Sequence, residues 1–150
     1  MLDANQHSMT LNLETLVAAM DEVLQEHHES NPKHSNPYEQ QCYVASAALK
    51  KFFGRGVLTL YRTHDFKNQY HWWVETKDGK VIDMTAQQYE LVGAPVPSRS
   101  EAYEKRQKQS YLGFASYRKR MEVLMNLLAT KVAGMSADEF MNSDLYPVSI

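Results

Sequence analysis

The sequence predicts an α+β fold in which a short antiparallel sheet packs on helices, one of them bearing a cysteine. Three observations carry this. Apolar residues recur at helical spacing in two separate stretches, residues 11–28 and 117–132. Between them, residues 57–63 and 70–85 are rich in aromatic and branched side chains that alternate with polar ones, as strands do. The single cysteine, Cys42, stands where a further helix begins.

A chain of 150 residues fits one domain with room for a core. Hydrophobic residues at 43% and charged residues at 23% are ordinary for a globular protein, and a formal net charge of -2 favours neither nucleic acid nor membrane as partner. One cysteine excludes an internal disulfide and fits a reducing compartment. No apolar run reaches membrane-spanning length and residues 1–10 are too polar for a signal peptide, so a cytoplasmic location is expected.

In order along the chain, Leu13, Leu16, Val17, Met20, Val23, Leu24 and His27 give the first helix its apolar face, with Asn12 or Thr10 as cap. His27, His28 and His34 match no metal-ligand spacing and lie in a polar segment ending in Asn31-Pro32, so they read as a solvated helix end and no metal or cofactor is expected. Asn31-Pro32 and Asn36-Pro37 bound a loop that delivers Glu39, Gln40 and Gln41 to the helix of Cys42, whose alanine-rich body ends near Gly54.

Residues 57–63 read as the first strand and residues 64–69 as a polar connection. The stretch from Tyr70 to Thr85 reads as a hairpin turned at Asp78-Gly79. Two registers suit that turn. A two-residue turn pairs Lys77 with Lys80 and puts His71 and Asp83 on opposite faces. A three-residue loop with Gly79 left-handed pairs Thr76 with Lys80 and Trp73 with Asp83, and then His71 and Asp83 are diagonal neighbours on one face. The second register is the expectation. Residues 85–100, with Gly93, Pro95 and Pro97, read as a long covering loop, and 101–109 as a charged, helix-favouring stretch. Tyr117, Met121, Leu124, Leu128 and Val132 mark a long helix stopped at Gly134. Ser136 with Glu139 is a capping box for a short last helix, and residues 145–150 are apolar enough to pack.

The chemistry-bearing candidates follow from this layout. A thiol in the first turn of a helix faces the positive end of the dipole, which favours the thiolate, and a nearby imidazole adds to the effect. His71 is the expected base; His64 is its rival but sits in a loop signal. Asp83, in the same-face register, orients the imidazole. Gln40 or Gln41 either donates an amide to an oxyanion, with the Cys42 backbone N–H as partner, or simply faces solvent. Trp72 and Trp73 point to opposite faces; Trp73, on the face of His71, is the one expected to border the cleft and hold a substrate chain. Arg99, Lys105, Arg106, Lys108, Arg118, Lys119 and Arg120 form a basic region, but no groove-reading or base-stacking motif accompanies them.

Cys42 opening a helix, His71 with Trp73-Val74-Glu75, Gly79, and Asp83 with Thr85 together resemble the transglutaminase-like branch of the papain-like cysteine fold. The segments Cys42-Tyr43-Val44-Ala45-Ser46 and Asp83 through Tyr89 also resemble small uncharacterised phage and bacterial proteins of that type. Met84 departs from the proline usual at that position. The resemblance spans residues 36–90 and implies a papain-like domain with a Cys42-His71-Asp83 triad. The implied reaction is amide hydrolysis, deamidation or transamidation of a peptide or protein substrate. An inactive binding protein on the same scaffold, directed by a phage at a host protein, is the alternative it leaves.

Overall fold

The computed structural model describes residues 10–150. The expectation that the first ten residues form no signal peptide falls almost wholly outside them. Asn12 starts helix α1 (Leu13–Ser30) through a reciprocal cap: its side chain accepts from the Thr15 amide at 2.9 Å while its own amide donates to the Thr15 hydroxyl at 3.0 Å. Leu16, Met20, Val23 and Leu24 are buried along one face, as their spacing predicts. Helix α2 (Cys42–Lys51) buries every residue from Tyr43 to Leu49. Ala45, Ala47 and Ala48 are small enough to let the backbone come close to its neighbours.

Strands β1 (Leu58–His64), β2 (Tyr70–Thr76) and β3 (Val81–Ile82) are followed by a short helix α3 (Gln87–Glu90) and strand β4 (Gln107–Gln109). Helices α4 (Ala115–Ala133) and α5 (Ala137–Met141) close the chain. The sheet is antiparallel with order β3-β2-β1-β4, so the fold is α+β, with four strands and five α-helices among the described residues. Leu58, Leu60, Trp72, Val74 and Ile82 face the helices and form one core with α1, α2 and α4. The opposite face carries His71, Trp73 and Glu75 and is covered by residues 85–106, through Tyr89, Ala102 and Tyr103. None of the described helices is long and apolar enough to cross a membrane.

Three segments differ from expectation. Residues 85–100 hold α3 and a tight turn at Pro97–Arg99 within the covering segment. Residues 101–109 form a 3-10 turn, Glu101–Lys105, and then β4, which pairs with the outer edge of β1. With no apolar stripe to bury, this stretch gains more from the open hydrogen bonds of that edge than from a helix. The tail packs only in part: Val148 is buried and its amide donates to the Phe52 carbonyl at 2.9 Å, whereas Leu145 and Ile150 are exposed.

Candidate active site

The hairpin takes the three-residue register. The Thr76 amide donates to the Lys80 carbonyl at 3.0 Å, and Gly79 has φ +88, a conformation that other residues adopt only with strain. Val74 pairs with Ile82 and Glu75 with Val81, which sets Asp83 opposite Trp73. His71 and Asp83 therefore share a face, and His71 Nε2 lies 2.7 Å from Asp83 Oδ2 with both side chains buried.

Because β3 pairs only with Val74 and Glu75, the edge of β2 is free of strand partners from Tyr70 to Trp72. Helix α2 fills that gap. The Cys42 thiol lies 3.9 Å from the Tyr70 carbonyl, and the Ser46 hydroxyl donates to the Trp72 carbonyl at 3.5 Å. Cys42 and Ser46 are one helical turn apart and the two carbonyls are two strand residues apart, so the helix start runs along the strand edge. This is how a thiol on a helix meets an imidazole on the covered face of the sheet. The tight packing of Tyr43 fixes the approach: its ring meets Trp72 at 4.7 Å and Tyr117 at 5.2 Å, and its hydroxyl accepts from the Leu112 amide at 2.8 Å.

With Nε2 committed to Asp83, His71 Nδ1 is buried without a hydrogen-bond partner. Burial alone would lower the His71 pKa. The hydrogen bond to Asp83, the nearby Cys42 thiol and the charges of both groups outweigh it and raise the value from 6.5 to about 9. The Asp83 carboxylate is held by two further donors, the Ser98 hydroxyl at 2.6 Å on Oδ2 and the Thr85 amide at 3.2 Å on Oδ1. Tyr89 covers the imidazole edge-on at 4.8 Å, and its hydroxyl donates to Asp65 at 2.8 Å. Burial first, then that hydrogen bond and the Asp65 charge, raise the Tyr89 pKa, so its phenol stays a donor.

The half-buried Cys42 opens into a cleft of about 320 Å³ lined by Gln40, Glu39, Phe66, Tyr70 and Tyr89 among others. Gln40 borders this cleft, as one of its two readings requires. Gln41 does not line it: its side-chain oxygen accepts from Arg120 at 3.3 Å. The Gln40 carbonyl accepts from the same guanidinium at 2.6 Å, and Gln40 itself has φ 61. Trp73 corrects the sequence reading. It shares a face with His71, at 5.9 Å between rings, but is fully buried and donates to Glu75 at 2.9 Å. It supports the site from behind, and the aromatic walls of the cleft are Phe66, Tyr70 and Tyr89. His64 ends β1, exposed, with its ring stacked on Tyr70 at 4.3 Å.

Sequence reasoning missed the roles of Ser98 and Arg120. Ser98 carried only the signal of a proline-flanked turn, and Arg120 was one cation among seven. The basic region is not one surface: Arg106 pairs with Glu75 at 2.9 Å, Arg99 with Glu90 at 3.5 Å, and Arg120 holds the turn before Cys42. No group of His, Cys, Asp and Glu suited to hold a metal ion occurs among the described residues.

The geometry can be set beside known proteins. The family model described as YunG protein matches residues 12–127, well over half the chain, and takes in Cys42, His71, Asp83, Ser98 and Arg120 together. The chain belongs to the YunG protein family. No curated protein and no solved structure matches it. The YunG match begins at the cap of α1 and ends within α4, so the helices and the sheet that bring the thiol, imidazole and carboxylate together all fall inside it.

Proposed function

We propose that this protein is a thiol-dependent acyl-transfer enzyme of papain-like, transglutaminase-like type, acting on an amide carbonyl of a peptide or protein substrate. One observation carries the reading: His71 is tied through Nε2 to a buried Asp83, while its other nitrogen is buried, unpartnered and next to the only thiol. A ring nitrogen kept dry and unpaired is costly in a purely structural histidine. In a base that takes the proton of Cys42 it is the working state.

In this mechanism Nδ1 accepts the Cys42 proton, and Asp83 stabilises the imidazolium and fixes the ring. The thiolate sulfur attacks the carbonyl carbon. The oxyanion is met by the Cys42 backbone N–H, at a helix start that has no side-chain cap, with the Gln40 amide at the cleft edge as second donor. The imidazolium then protonates the departing amine, leaving a thioester on Cys42. Water or an amine releases the acyl group, which gives hydrolysis, deamidation or transamidation according to the nucleophile.

The test is to incubate the protein with cell extract and read the intact mass. A mass increase mapped to Cys42, reversed by hydroxylamine and absent in His71→Ala, is the expected result. No thioester at all, with Cys42 labelling indifferent to His71→Ala, would remove the enzyme reading.

A further inference from the structure

Asp83 lies just beyond a strand only two residues long, so the ladder hydrogen bonds do not fix its side chain. Three donors do. His71 Nε2 and the Ser98 hydroxyl meet the same oxygen, Oδ2, at 2.7 and 2.6 Å, and the Thr85 amide meets Oδ1 at 3.2 Å. Ser98 is 5% exposed and reaches Asp83 from the Pro97–Arg99 turn of the covering segment. The Asp83 side chain is 2% exposed, so solvent supplies little that could replace a lost donor.

We propose that Ser98 is a positioning residue of this site: by donating to the oxygen that His71 also uses, its hydroxyl shares the Asp83 charge and limits how tightly His71 keeps its proton. This rests on the reading of Cys42, His71 and Asp83 as one proton-transfer unit. A carboxylate oxygen with two donors is a weaker acceptor for each than an oxygen with one. The hydroxyl dipole also presents its positive end to the imidazolium through that oxygen. Thr85 holds the other oxygen, so loss of the Ser98 hydroxyl leaves Asp83 in place and changes mainly its charge sharing.

The other groups facing His71 are few. Cys42 comes from α2, and Tyr89 comes from α3 with its hydroxyl on Asp65. Along β2 on the same face lies Glu75, already engaged by Arg106, Trp73 and Tyr103. None of these touches Oδ2, so the Ser98 hydroxyl is the one contact that can be removed there without changing a charge.

The experiment follows the His71 imidazole by ¹⁵N NMR titration, together with the rate of Cys42 alkylation by iodoacetamide at pH 6. In Ser98→Ala the His71 midpoint is expected to move upward by about half a pH unit or more, with alkylation at least as fast as in the wild type. Asp83→Asn should move both readouts the other way, and Ser98→Thr, which keeps the hydroxyl, should retain the wild-type midpoint. Ser98→Gly removes the same donor and serves if the alanine variant does not fold. A midpoint that is unchanged or lowered in the donor-free variant, or raised equally by threonine, overturns the role of Ser98 while leaving the triad standing. Alkylation of Cys42 that His71→Ala does not alter overturns both.

Discussion

His71 Nε2 and Asp83 Oδ2 are 2.7 Å apart because three residues, not two, turn the hairpin that joins them. The side-chain period of a strand is two, so the alternative pairing of Lys77 with Lys80 would carry Asp83 to the other face. The contact is thus a property of strand register as much as of the two side chains. The expected consequence is that Asp83→Asn, which keeps the register and removes the charge, reduces Cys42 alkylation at pH 6 to 7. His71→Ala should reduce it at least as far, and the double variant His71→Ala/Asp83→Asn should be little worse than His71→Ala, as coupled neighbours require. Full labelling in Asp83→Asn would show that the contact carries no function.

A second prediction concerns stability against pH. The folded His71 pKa, about 9, lies above its ordinary 6.5, so the folded state binds the proton more tightly than the unfolded chain. The stability this contributes is fully present below pH 6.5 and is lost as pH rises through about 9. Urea denaturation midpoints should fall across that window in the wild type and flatten there in His71→Ala. A midpoint that rises from pH 6.5 to 9 in the wild type would contradict the assignment.

Much of this arrangement was legible in the sequence, for identifiable reasons. Asp78-Gly79 limits the hairpin to two registers, and helical spacing with caps at Asn12 and Ser136 locates α1 and α5. What escaped depends on contacts distant in sequence. Ser98 meets Asp83 across fifteen residues, and no local pattern encodes that reach. Strand β4 consists of Gln107, Lys108 and Gln109, residues with little strand preference that pair because β1 offers an open edge. Alternation put Trp73 on the face of His71, but that face is covered by Tyr103, which sequence periodicity does not reveal.

Trp73 supplies a third prediction. It is fully buried and donates to Glu75, a nearly buried carboxylate that also takes Tyr103 at 3.3 Å and Arg106 at 2.9 Å. Trp73→Phe keeps most of the packing and removes the N–H, so it should cost about 1–3 kcal/mol of unfolding free energy. Cys42 alkylation in the folded variant should be unchanged, because no Trp73 atom lines the cleft. Slower alkylation at unchanged stability would return Trp73 to the site.

The fourth prediction concerns Arg120, on α4, far in sequence from the residues it holds. Its guanidinium donates to the Gln40 carbonyl at 2.6 Å and to the Gln41 side chain at 3.3 Å. Gln40 sits at φ 61, which is unfavourable for a residue with a Cβ and persists only where surrounding contacts hold it. Arg120 is one such contact, and it sets how the chain enters α2 at Cys42. Arg120→Ala should cost about 1–2 kcal/mol of stability, the order of a charge-assisted hydrogen bond at a half-buried site. In the proposed reaction its larger effect should fall on acyl transfer, since the Cys42 amide and the Gln40 side chain are the two oxyanion donors. Thioester formation should slow by about tenfold or more, while simple alkylation, which develops no oxyanion, should change little. Arg120→Lys keeps the charge but has a shorter side chain and lacks the planar nitrogen whose two hydrogens serve Gln40 and Gln41 together, and should recover only part of the rate. Equal loss in both reactions would mean that Arg120 positions the thiol itself, and no loss in either would leave the Gln40 turn without a part in catalysis.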